Sequence, residues 1–171
     1  MRQGFSFDDL MDYTSWQRTT WRTWFDAHPD ALKLSAGPNG DGRFTTVGDL
    51  VRHIFSAELR YAQRLAGQPL SDLTTIASDD VDALFKAGDE GRLALKQLVA
   101  SYPEADWDSP REFKILTFQV TASPKKIVGH TLMHEIRHWA QIATICRMNG
   151  LTMEFQDFLG SPVWGASFRP A

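Results

Sequence analysis

The stretch from Ser123 to Gly150, "SPKKIVGHTLMHEIRHWAQIATICRMNG", constrains this 171-residue chain more than any other. Ser123 before Pro124 is an N-cap followed by proline at the first helical position, where a missing N–H removes no helical bond. No further proline interrupts the run, and Gly150 stands where a left-handed residue closes a helix. A helix to Asn149 is expected. Its apolar residues are not confined to one narrow stripe: Val128, Leu132, Trp139 and Ala143 form one arc, and Ile127 and Ile145 lie on another. Such a helix needs neighbours around much of its circumference.

Three more stretches supply them. Phe7 to Ala27 carries Leu10, Tyr13, Trp21, Trp24 and Phe25 at helical spacing and stops before His28, which Pro29 pushes out of the helical region. A turn-rich loop, "SAGPNGDGR" around Asn39, follows. The second helix begins at Thr46, with Asp49 placed for a capping box, and ends before Gly67. The third is expected from Asp79 to Ser101, started by Ser78 and weakened by Gly88 and Gly91. Between helices three and four, "REFKILTFQV" alternates as a short strand or hairpin, and the tail "LTMEFQDFLGSPVWG" carries apolar anchors suited to packing back on the helices. Four helices of about 20 residues with at most a hairpin indicate an all-α four-helix bundle. With 43% apolar residues, residues 1–171 suffice for a single domain.

A net charge of −3 and a pI near 5.9 offer no electrostatic case for nucleic-acid binding. Cys146 is the only cysteine, so no intrachain disulfide forms and a reducing compartment is expected. The opening "MRQGFSFDDL" lacks the order of a signal peptide, and no apolar run approaches the length of a membrane span. These features together lead us to expect a soluble, cytoplasmic protein.

Function enters through the histidines of the fourth helix. With about 100° per residue, His130 and His138 fall about 40° to either side of His134, on a strip that also holds Gln141 and Ile127. Residues four apart are about 6 Å apart along the axis, near enough for two imidazoles to share an ion, whereas His130 and His138 are about 12 Å apart. The pair is His130/His134 or His134/His138. A stable site needs a third ligand from another helix. His28, beside a proline at a helix end, is a poor candidate; His53, mid-way along the second helix at the edge of its apolar arc, is a better one.

"HEIRH" also satisfies H-E-x-x-H, the zinc-peptidase helix. A peptidase needs Glu135 as general base and a downstream third ligand. No H-x-x-G-x-x-H extension exists, and Glu154 is the only nearby downstream glutamate, so this reading ranks below the others. Glu135 reads more simply as a solvent-facing or salt-bridging residue near Arg137 or Lys126.

The set "HEIRHWAQI" with "LVRHIFSAELRYAQRLAG" and the aromatic first helix, "MDYTSWQRTTW", resembles the DinB/YfiT-like superfamily of metalloenzymes over nearly the whole chain. The superfamily's usual Arg-Gly-Gln after the second histidine is here Trp139-Ala140-Gln141. The resemblance implies an up-down-down-up bundle with metal ligands at His53, His134 and His138, selecting the second histidine pair. It implies a divalent ion, zinc or nickel foremost, and transferase-like or isomerase chemistry on a small-molecule substrate that in some members uses a low-molecular-weight thiol. It also implies a homodimer. A metal-carrying or small-molecule-binding module without turnover is the alternative.

Other side chains have possible roles around such a centre. Glu58, a carboxylate among Val51, Ile54 and Leu65, is a candidate acceptor for a ligand imidazole or the partner of a neighbouring helix. Gln141 is placed to orient a ligand or satisfy a backbone group, and His130 to line the pocket mouth. Arg52, Arg60 and Arg64 form either a solvated face or an anion site, the former favoured. Cys146 reads as a small core residue.

Overall fold

The first helix, α1 (Phe7–Ala27), opens with a reciprocal box in which the Asp9 N–H donates to Ser6 Oγ and the Ser6 N–H donates to the Asp9 carboxylate. In the computed structural model, which describes residues 4–37, 43–153 and 156–165, the same device starts α2 (Val47–Leu65) through Thr46 and Asp49. Asn39 and Glu154 lie outside the described residues.

The third helix, α3 (Val81–Ser101), begins at Val81 instead of Asp79, because the Asp80 carboxylate, not Ser78, accepts the Ala83 N–H. Ser78 is held elsewhere: its carbonyl oxygen lies against Gly48, where a Cβ would approach it to 1.8 Å. The hairpin forms as β1 (Arg111–Ile115) and β2 (Phe118–Ala122), antiparallel with Phe113 opposite Val120. Finally α4 (Pro124–Met148) runs from the Ser123 cap to Gly150, which has φ +78°.

Contacts along the helices give their directions. Gly48 at the start of α2 meets Ser78 just before α3, and further on Gly88 meets Phe55, so α2 and α3 run parallel. Arg92 reaches the Met11 carbonyl while Arg18 reaches that of Gly88, so α1 opposes α3. The Phe7 ring lies by Gly129 and Trp21 stacks on Trp139, making α1 and α4 parallel. The result is the expected up-down-down-up bundle, and residues 66–80 carry the chain back along it. A Cβ on Gly88 would stand 2.8 Å from the Phe55 ring; the glycine that weakens α3 in isolation lets it approach α2.

The apolar interior comes in two blocks. One holds Trp21, Phe25, Phe55, Phe85 and Trp139; the other holds Met11, Ala62, Leu95, Val128 and Leu132. Between them lies a layer of charge contributed by all four helices: Arg18, Glu58, Arg92 and Glu135, none more than 7% exposed. Arg18 donates to Glu58 at 2.6 Å and to both Glu135 oxygens at 2.6 and 2.8 Å. Arg92 donates twice to Glu58, at 3.0 Å, and once to Glu135 at 2.8 Å. Its remaining nitrogen donates to the Met11 carbonyl, Thr14 and Ser15. Two positive and two negative charges, each with several partners, meet the condition under which buried ions are tolerated. Burial acts to lower the Arg18 pKa, but Glu135 and Glu58 outweigh it and the net shift is upward. Burial likewise acts to raise Glu58, and the charges of Arg18 and Arg92 hold it below the ordinary carboxylate range.

The tail packs back as expected. Trp24 donates to the Thr152 carbonyl and Tyr13 to that of Gln156, while Trp164 stacks on Phe5 and donates to Asp9. Among the described residues no helix is long and apolar enough to cross a membrane.

Candidate metal centre

Antiparallel packing of α2 against α4 places His53 opposite the His134/His138 turn. The His53 and His134 Nε2 atoms are 3.0 Å apart, and those of His134 and His138 3.1 Å. One ligand nitrogen from each of the three lies within 4.8 Å of the others. Two imidazole nitrogens on a tetrahedral zinc ion stand about 3.3 Å apart, so small ring rotations suffice for all three to share an ion.

The surroundings settle which nitrogens are available. Gln141 Oε1 lies 2.9 Å from His138 Nδ1; an amide oxygen only accepts, so Nδ1 carries the proton and Nε2 presents its lone pair. The Phe44 ring packs on His53 with centroids 4.4 Å apart. Burial, then the neighbouring His138 and His53 imidazoles, push the His134 pKa down to about 2. Burial lowers His138 as well, against the opposing effect of its hydrogen bond to Gln141. His134 and His138 are therefore neutral imidazoles, and with His53 beside them they form a donor set suited to a divalent cation.

The other sequence candidates fall elsewhere. His130 is exposed, with its ring 5.6 Å from that of His134 and edge-on to Tyr61 at 5.5 Å, and is not one of the convergent three. His28 stacks on Trp24 and pairs with the Trp24 carbonyl. Arg52 ties Asp49 to the Ile76 carbonyl, and Arg64 donates to the Lys114 carbonyl, so these two brace loops. Cys146 is fully buried, and burial raises its thiol pKa to about 11, as for an inert core residue.

One expectation changes and one alternative is decided. Glu135 is not solvent-facing and pairs with neither Arg137 nor Lys126. It is 1% exposed, engaged by Arg18 and Arg92, and also accepts the Trp139 indole N–H at 3.0 Å. A carboxylate so committed is not a general base for metal-bound water. Glu58 belongs to the same layer, which is the second of its two expected roles, a partner to neighbouring helices, and not the acceptor for a ligand imidazole. The partners missed in the sequence were Arg18 and Arg92; the available signal was one charged residue on the apolar arc of each helix.

No curated protein matches the chain. The family model for the DinB superfamily matches residues 6–142, a span that contains α1, α2, α3, the hairpin, and α4 through Ile142, with all three convergent histidines. By that match and by the bundle it describes, this chain is a member of the DinB superfamily.

Proposed function

We propose that His53, His134 and His138 hold one divalent metal ion, zinc or nickel foremost, and that the protein is a metal-dependent enzyme of transferase type acting on a small molecule. The supporting observation is the convergence of three Nε2 atoms from two helices, one of them fixed by Gln141. Family membership supports it too. Three neutral ligands leave a coordination position open, and an ion bound there would activate a thiol or polarise an electrophile. A low-molecular-weight thiol is the proposed co-substrate.

The chain's own residues prepare that chemistry. Gln141 holds the His138 tautomer, and Phe44 shields one face of His53. His134 itself is half-buried between the two helices that carry the three histidines.

Metal analysis of untagged protein is expected to find about one divalent ion per chain, lost in His134→Ala. Unchanged metal content in that variant overturns the assignment. Metal-loaded protein, screened with several low-molecular-weight thiols against electrophiles, should give a rate that disappears with the metal. Bound metal with no such rate would instead favour a binding module.

A further inference from the structure

Beside the three histidines, one imidazole away, is a cavity of about 420 Å3 roofed by the hairpin. Its walls are Tyr61 of α2, Phe113, Ile115 and Val120 of the hairpin, and Ile127 and His130 of α4. His130 links the two regions: its ring meets Tyr61 on the cavity side and His134 on the other. The cavity is mainly apolar, but its charged neighbours share one sign. Lys126 lines it, and the Arg64 guanidinium lies over the Phe113 ring at 5.3 Å and the Tyr61 ring at 5.8 Å. No carboxylate lines it.

The same sign continues toward the histidines. On α4, Lys126, His130 and Arg137 fall within about 40° of one another along one edge. Arg137 Nη2 is 3.3 Å from His138 Nε2, the nitrogen that faces His134. Among the described residues Arg22, Arg52, Arg111 and Lys125 each have a carboxylate within ion-pair distance, whereas Arg137 and Lys126, like several other surface cations, do not. An exposed guanidinium beside His138, with no acid at ion-pair distance, is a natural counter-charge for an anion. Arg137 lies about 10 Å along the helix from His130.

We infer that the site takes an elongated amphipathic anion, with an aryl or alkyl body under the hairpin and a carboxylate-type group paired with Arg137 beside the three histidines. This rests on those histidines being the functional centre. It makes Arg137 and the hairpin the determinants of substrate choice, the first for charge and the second for the apolar group.

The test compares 4-phenylbutyrate with 4-phenylbutanol, identical in the apolar part, by calorimetric titration of metal-loaded protein, with metal content measured on the same samples. The acid should bind at least about tenfold tighter, as expected for a charge-assisted hydrogen bond. Arg137→Gln, an exposed change, should abolish that preference and retain the alcohol's affinity. Ile115→Trp, which fills the cavity, should weaken both ligands, with thermal melting confirming that it folds. Equal affinities in the wild type, or affinity unmoved by Ile115→Trp, overturn the inference. So does a preference that survives Arg137→Gln and disappears in Lys126→Met, which would place the charge at the cavity end. A wild type that binds metal but not these ligands leaves the metal reading standing and refutes only this one. A wild type without metal refutes the metal reading directly.

Discussion

Replacing Glu135 by glutamine separates the bundle described here from a peptidase more sharply than any change at a histidine. The substitution keeps size and shape and removes one charge. Arg18 and Arg92 then share Glu58 alone, leaving one uncompensated positive charge in a layer whose members are at most 7% exposed. Removing one partner from a buried ionic group costs about 3–5 kcal/mol, most of it the desolvation no longer offset. For a protein of this size each kcal/mol lowers Tm by about 2–4 °C, so the expected fall is about 6–20 °C. The exposed Arg22–Asp82 pair is the control: Asp82 is 87% exposed, and Asp82→Asn should cost less than about 1 kcal/mol.

The assay is calorimetric or urea-monitored unfolding of both variants with metal content determined in parallel. Glu135→Gln should melt far below the wild type and still carry about one metal per folded chain, since Glu135 is not among the converging ligands. A peptidase would behave in the opposite way, keeping stability and losing only turnover. A Tm within about 3 °C of wild type would refute the reasoning. A cycle adding Arg92→Gln checks it further: the double variant removes one charge of each sign and should lose less than the sum of the single losses.

Two other outcomes follow from the same geometry. Gln141→Leu removes the acceptor that holds His138 Nδ1 and should weaken metal binding by about 10- to 100-fold in competition with a chelator, with little effect on Tm; unchanged affinity would show that Gln141 does not fix the tautomer. Acid should destabilise the metal-free chain through two groups. The folded His134 takes up no proton until about pH 2, whereas the unfolded chain does so below about 6.5, so stability falls as pH drops through that window. Glu58, held below the ordinary carboxylate range, contributes stability above that range and loses it as pH falls through its lowered folded value. Urea midpoints measured from pH 8 to 4 should therefore fall steadily, with a shallower slope in His134→Ala; equal slopes would exclude the histidine contribution.

The parts of this molecule legible in the sequence are those decided locally. The bounds of α1, the Thr46 and Ser123 caps and the Gly150 terminator depend on side chains within four residues of the backbone they serve. The spacing of His134 and His138 is equally local; His53 stood out by its place at the apolar edge of α2, and the family resemblance chose His134/His138 over His130/His134 as the pair that joins it. The start of α3 was misplaced because Ser78, Asp79 and Asp80 are all acceptable caps, and it is a contact with α2 that occupies Ser78. The charged layer was invisible for a stronger reason. The periodicity of one helix shows that Glu58 or Glu135 lies near an apolar arc, but whether a carboxylate there is tolerated depends on arginines 34 to 117 positions away in the chain.

That layer also bears on the metal centre, because both are carried by the same two helices. Glu58 is little more than one turn beyond His53 on α2, and Glu135 follows His134 directly on α4. Rotating α4 by one residue about its axis would swing His134 by about 100°, away from His53, and would at the same time take Glu135 out of reach of Arg18 and Arg92. The ion pairs hold Glu135 to α1 and α3 at 2.6 and 2.8 Å, so the orientation that satisfies them is the one that turns His134 and His138 toward α2. The glutamate in "HEIRH" therefore serves the histidines as a positioning residue. It fixes the rotation of their helix through α1 and α3, with its oxygens committed to Arg18, Arg92 and the Trp139 indole.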